Sequence, residues 1–202
     1  MTMNENIIRR ISIENFKCFL DITFPLNELT IIAGANAVGK STLIQGLLII
    51  RQTIDKFKTI DKYSNKNKEN NMVDRLEIPL NGEYCLNLGN SSQVISSNAE
   101  KNEIIFRIIE STKSSNEAIF DKSLIEVPFE YSTSPENPEL TLKFRSSSKM
   151  ARKSQCSIYK KEFHYLNAER LGPRVTQDMI NQEFPNTGYQ GEFTGYVLAT
   201  NQ

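Results

Sequence analysis

Nine consecutive residues constrain this chain more than anything else in it. Gly34-Ala35-Asn36-Ala37-Val38-Gly39-Lys40-Ser41-Thr42 fits the pattern GxxxxGK[ST] without a mismatch. Each position has a physical reason. Gly34 and Gly39 let the backbone turn tightly, so that successive N–H groups point inward at phosphate oxygens. A helix starting near Gly39 adds its positive dipole end to the same anion. Lys40 is placed to neutralise β- and γ-phosphate charge, Ser41 to give its hydroxyl to Mg2+, and Thr42 to bond the α-phosphate. The competing reading is a glycine turn that opens an ordinary helix. The flanks decide against it. Leu29-Thr30-Ile31-Ile32-Ala33 is a short β-branched apolar run that predicts a strand buried on both faces. Beyond Ser41, Leu43, Leu47, Ile50, Ile54 and Phe57 recur at helical spacing, which predicts a helix to about Lys58. Strand, loop and helix in that order predict a nucleotide site.

The rest of the chain reads as β structure. Residues 8–16 and 20–24 predict a strand pair ahead of the loop. Residues 61–74 are polar, Asn- and Lys-rich and almost free of aliphatics, as in a solvated loop. The period then becomes two, with strands predicted over 76–88, 103–110, 118–131 and 140–145. Asn81-Gly82, Gly89-Asn90-Ser91-Ser92 and Ser134-Pro135-Glu136-Asn137-Pro138 separate them. This pattern predicts an antiparallel meander, not βαβ units. Phe163-His164-Tyr165-Leu166-Asn167 reads as a last strand, and four of the nine glycines follow Leu171. The expected divisions are 1–60 (hairpin, loop and helix), 61–75 (polar loop), 76–170 (antiparallel β) and 171–202 (loop-rich).

Composition excludes several classes. The 24 Lys+Arg balance 24 Asp+Glu, so there is no global charge argument for nucleic acid. The longest apolar run, Leu47-Leu48-Ile49-Ile50, is far short of the roughly 20 residues of a membrane span. Cys18, Cys85 and Cys156 are widely spaced with no CxxC, against a disulfide framework or zinc site, and the expected compartment is the cytoplasm. His164 is the sole histidine and reads as a packed residue, which leaves little support for metallo-hydrolase or Ser-His-Asp chemistry.

Arg10-Ile11-Ser12-Ile13-Glu14-Asn15-Phe16-Lys17-Cys18-Phe19, a short strand, and then Leu29 through Leu43 resemble the N-terminus of SMC/RecF/Rad50-like ATPases. That branch of the ABC-type P-loop ATPases includes OLD-type nucleases and many bacterial defence ATPases. Its usual wording is I-x-N-F-[KR]-x-F followed by G-x-N-G-x-G-K-S-T. Asn36 matches, and Ala37 stands for the usual glycine, a change that suits a negative φ. Phe163-His164-Tyr165-Leu166-Asn167-Ala168-Glu169-Arg170-Leu171-Gly172-Pro173-Arg174 and Gly188-Tyr189-Gln190-Gly191-Glu192 resemble stretches of stand-alone AAA family ATPases. The resemblance implies an α/β P-loop NTPase lobe of ABC/SMC type, a Walker A strand–loop–helix beside an antiparallel sheet, and ATP with Mg2+. It places Gln93 near the family's Q-loop, whose Gln contacts Mg2+, and Lys17 near the base or ribose. A polar loop residue and a solvated lysine are the alternatives.

The family's second lobe supplies a signature loop and a Walker B strand ending in Asp-Glu, and hydrolysis occurs between two heads. Here the nearest candidates end at Asp121 and Glu126, neither with the acidic pair, and no serine-bearing signature occurs. The chain stops at Gln202 within an apolar run. The expectation is therefore the N-terminal lobe of a head that needs a C-terminal half to hydrolyse ATP. Its expected partners are ATP and a second head, in a homodimer or hetero-assembly, with a role in DNA repair or anti-phage defence. Residues 140–161 carry seven bases and no acid: Lys143, Arg145, Lys149, Arg152, Lys153, Lys160 and Lys161. DNA contact and a solvated face both fit such a run. Arg170 and Arg174, about Gly172-Pro173, are structural or phosphate-facing. The alternatives are a non-catalytic interaction module built on a degenerate head, and a P-loop kinase or GTPase. The antiparallel pattern and the lack of an NKxD motif argue against the last.

Overall fold

The structure is a computed structural model. It describes residues 6–64, 76–112, 124–134, 136–145, 157–159, 163–169, 171–172, 176 and 186–200. The chain divides into two compact units, Met1–Tyr159 and Lys160–Gln202.

The first unit is a helix on an antiparallel sheet. Its strands are β1 (Asn6–Phe16), β2 (Phe19–Pro25), β3 (Leu76–Pro79), β4 (Glu103–Thr112), β5 (Leu124–Ser132) and β6 (Thr141–Arg145). Their order is β2-β1-β4-β5-β6-β3, every neighbouring pair antiparallel. Helix α1 (Lys40–Ser64) and the single-turn α2 (Ser91–Val94) complete the unit, with 3-10 turns at Glu83–Cys85 and Ser157–Tyr159. Strand alternation sets the core. Ile11, Ile13, Ile104, Phe106, Ile108, Val127, Phe129, Tyr131, Leu142 and Phe144 are all buried on one face. Phe106 packs edge-on against Phe16 (centroids 5.2 Å, 72°) and Tyr131 (5.7 Å, 72°). The other face is polar: Ser12 and Thr23 hydroxyls lie 2.9 Å apart, and Arg107 pairs with Glu14 and, at 3.1 Å, with Glu126.

Helix α1 lies on the apolar face. Gly46 permits the approach, because a Cβ there would meet the Phe106 ring at 3.0 Å. Thr53 and Tyr131 hydroxyls lie 2.7 Å apart in the interior, and burial of that phenol holds its pKa well above the ordinary tyrosine value. Leu48 through Ile54 are buried almost without a break. The 3-10 turn at Ser157–Tyr159 covers part of that stretch: Arg51 Nη1 donates to the Ile158 carbonyl at 2.9 Å. The helix runs past Lys58 to Ser64, since no Pro or Gly stops it there.

Several sequence expectations change. Residues 29–33 form no strand, and Leu29, Ile31 and Ile32 are 78%, 82% and 43% exposed. A strand exists only where a ladder satisfies its backbone, and among the described residues none lies beside this run. The last link to the sheet is Leu26 N to the Arg9 carbonyl at 2.7 Å, followed by a local Asn27–Thr30 turn. The expected 76–88 strand stops at Pro79. Gly82 (φ +103), Tyr84 (+55) and Cys85 (+57) take left-handed conformations and turn the chain. β3 pairs with β6 at the far edge instead of with its sequence neighbour β4, so the strands do not run as one continuous meander. Residues 163–167 are not a strand, and α3 (Thr194–Thr200) replaces the expected loop. Most of the 61–74 loop, and Asp121, lie outside the described residues.

In the second unit the two family-like stretches join. Asn167 N donates to the Tyr189 carbonyl at 2.7 Å and Leu171 N to that of Gln190 at 3.0 Å. The Glu192 carboxylate accepts from the N–H groups of Tyr189 (3.3 Å) and Gln190 (2.7 Å), which closes the glycine loop on itself.

Candidate nucleotide-binding site

The candidate loop is held from below by the β1–β2 turn. Asn15 (φ +57) and Lys17 (φ +52) reverse the chain, which carries Cys18 and Phe19 under Gly39. A Cβ on Gly39 would lie 2.5 Å from the Phe19 ring and 2.9 Å from Cys18 Sγ, and Gly39 itself has φ +96. Glycine is therefore required twice there, for conformation and for space. Cys18 Sγ donates to Thr42 Oγ1 at 3.8 Å, and Thr42 is buried. Phe19 closes the family-like hairpin motif, but the sequence assigned neither it nor Cys18 a role beneath the loop.

α1 begins at Lys40, and the Leu43 N–H to Gly39 carbonyl bond (3.1 Å) closes its first turn. The opening N–H groups of a helix have no acceptor within the helix, which leaves them for an anion. Lys40 Nζ folds back over the loop and donates to the carbonyls of Gly34, at 2.6 Å, and Ala35. Ser41 is exposed beside it. Lysine, Ser41 hydroxyl and helix start thus sit together as the pattern requires. Ala37 departs from expectation: its φ is +65, not negative. The usual glycine suits this position better, because alanine's Cβ is crowded there.

Lys17 lies near the start of the helix, where its Nζ donates to Gln45 Oε1 at 2.9 Å. Burial pushes its pKa down, with Cys18 acting in the opposite direction. Gln45, four residues after Ser41, is a neighbour the helical spacing could have supplied. Gln93 has a structural task. Its Oε1 accepts from Asn90 N at 3.0 Å while Asn90 Oδ1 accepts from Gln93 N at 3.3 Å, a capping box on α2. α2 reaches the hairpin turn through Lys17 N, which donates to the Val94 carbonyl at 2.7 Å. For Gln93 Oε1 to meet a metal ion, this cap has to open.

The described part of the basic run is neutralised. Lys143 Nζ lies 2.7 Å from Glu139 Oε1, and Arg145 Nη1 lies 2.7 Å from Glu103 Oε1. Lys149, Arg152, Lys153, Lys160, Lys161, Arg170 and Arg174 lie outside the described residues. Among the described residues no three His, Cys, Asp or Glu side chains are grouped to hold a metal ion. No helix among them is long and apolar enough to cross a membrane.

Comparison with known proteins points the same way as the loop. An OLD nuclease of Thermus scotoductus (strain ATCC 700910 / SA-01) is 36% identical over 44 residues, which is 22% of this chain and 8% of that protein. No solved structure gave a significant match. Residues 7–184 match the AAA ATPase domain family, a span that takes in the loop, α1 and all of the sheet but Asn6, and the chain belongs to that family.

Proposed function

We propose that residues 34–42 bind ATP with Mg2+ and that the chain is the nucleotide-binding lobe of an ABC/SMC-like ATPase. One observation carries this reading: Lys40 Nζ arches over a glycine-bounded loop at the start of a 25-residue helix, held by the carbonyls of Gly34 and Ala35. On phosphate binding Lys40 exchanges those carbonyls for β- and γ-phosphate oxygens. Ser41 offers its hydroxyl to a phosphate-bound Mg2+, and the loop N–H groups hold the α- and β-phosphates. Thr42 bonds the α-phosphate, Lys17 faces the base or ribose, and Gln93 joins Mg2+ only if its cap opens.

Hydrolysis belongs to a fuller assembly. A positioned carboxylate is needed to orient the attacking water, and we assign it to a partner head or to further sequence. The exposed apolar run at Leu29, Ile31 and Ile32 supports the same reading, because it becomes a strand once neighbouring strands satisfy its backbone. The likeness to an OLD nuclease supports work in DNA repair or anti-phage defence. In that setting Lys143, Arg145, Lys149, Arg152 and Lys153 are the residues to test for DNA contact. The alternative, a non-catalytic interaction module, keeps the same lobe and dispenses with turnover.

Hydrogen exchange tests the binding reading. Adding Mg-ATP is expected to slow exchange at the amides of residues 35–43 by about tenfold or more, with residues 30–32 still exchanging fast. Unchanged exchange over 35–43 at saturating nucleotide would refute it.

A further inference from the structure

Ala37 is a non-glycine residue at φ +65, between Asn36 and Val38 of negative φ and followed two residues later by Gly39 at +96. Alternation of hand along a loop gathers successive N–H groups on one side and makes the concavity that receives an anion. Ala37 therefore has to be left-handed for the cradle to exist. For alanine that conformation is disfavoured about five- to thirtyfold relative to its right-handed alternatives. Among the described residues, neither burial nor the Lys40 hydrogen bonds repay the penalty. Residues 35–38 are exposed, so burial of the Ala37 methyl contributes little. The two bonds from Lys40 fall on Gly34 and Ala35, short of Ala37. The loop can thus relax when empty, and nucleotide must restore the left-handed residue when it binds.

Resting on the nucleotide reading above, the geometry points to Ala37 as an affinity-setting residue. It thins the population of binding-competent loop, and the apparent dissociation constant rises by the reciprocal of that population. The consequence is a threshold: the site fills only at nucleotide concentrations well above those that would saturate a glycine-bearing loop. Ala37 is a positioning residue here, since it acts through the N–H groups it turns.

The test uses the 202-residue chain, with Mg-ATP titration and thermal melting of wild type, Ala37→Gly, Ala37→Asn and Ala37→Val. Ala37→Gly is expected to tighten binding about three- to tenfold, somewhat less than the alanine penalty because glycine is more flexible when empty. Asn, which tolerates the left-handed region, should tighten it less, and β-branched Val should weaken it. Melting temperatures should stay within about 2 °C of wild type, because the relaxed empty loop stores little strain. Equal affinity of wild type and Ala37→Gly, with a raised melting temperature in the variant, would overturn the proposal alone, since strain would then be locked into both states. Binding in none of the four proteins would remove the nucleotide reading and this proposal with it.

Discussion

Gly39→Ala is expected to abolish measurable nucleotide binding and to destabilise the first unit by about 2–5 kcal/mol. Two costs add. Alanine at φ +96 bears a left-handed penalty of about 1–2 kcal/mol, and overpacking adds about 1–3 kcal/mol. The clash is specific: the new Cβ would sit 2.5 Å from the Phe19 ring and 2.9 Å from Cys18 Sγ. Phe19 cannot simply swing out, because it is buried and packs edge-on against Phe24 with centroids 5.4 Å apart. Either the loop lifts off the hairpin or the hairpin turn opens, and both disperse the N–H groups at the start of α1. Urea unfolding and Mg-ATP titration check the two effects. Adding Phe19→Leu to Gly39→Ala should recover part of the stability and none of the binding, because the backbone strain remains. A variant as stable as wild type would show that the hairpin does not support the loop as described.

Phe106→Ala is expected to cost about 3–5 kcal/mol, the range for deleting a fully buried aromatic ring. Phe106 is completely inaccessible and stands where three elements meet. Its ring packs against Phe16 at the end of β1 and Tyr131 on β5, and fills the space that a Cβ on Gly46 of α1 would need. Removing it opens a cavity under the helix that begins at the candidate loop, so nucleotide affinity should fall together with stability. Phe106→Leu preserves most of the volume and should cost about 1.5 kcal/mol or less. Chemical denaturation monitored by far-UV circular dichroism separates the two variants. A cost under about 1 kcal/mol for Phe106→Ala would contradict the packing described.

The parts of this molecule that local pattern specifies were readable, and the parts set by a distant partner were not. Leu43, Leu47, Ile50, Ile54 and Phe57 mark α1 because the helical period is a local property. Residues 103–110 and 140–145 are rich enough in β-branched and aromatic residues to be read as strands, and β4 and β6 lie there. Leu29-Thr30-Ile31-Ile32-Ala33 has the composition of a strand, but strandedness also needs a neighbour, which composition does not supply. β3 lies beside β6, more than sixty residues later in sequence as Leu76 pairs with Phe144, and no turn signal announces such a pairing. At the candidate site, the glycines, Lys40 and Ser41 stand out from spacing alone. The hand of Ala37 was not, since alanine ordinarily avoids φ +65. Gln93 shows a signal that competed with its family position: Asn90-x-x-Gln93 has capping-box spacing, and the structure uses it that way. The ion pair of Arg145 with Glu103 joins residues far apart in sequence, so an acid-free run of bases looked more positive than the folded surface around it.

The central claim is that residues 34–42 bind Mg-ATP through Lys40. Isothermal titration of the 202-residue chain with Mg-ATP, beside Lys40→Ala, tests it most directly. Among the described residues Lys40 Nζ is held by carbonyls of its own loop, so the variant should fold like wild type by circular dichroism. Wild type is expected to bind one nucleotide in a magnesium-dependent manner. Lys40→Ala should bind about ten- to a hundredfold more weakly, the loss expected for charge-assisted hydrogen bonds to phosphate. Equal affinity in the two proteins, or no binding by wild type at millimolar Mg-ATP, would contradict the account.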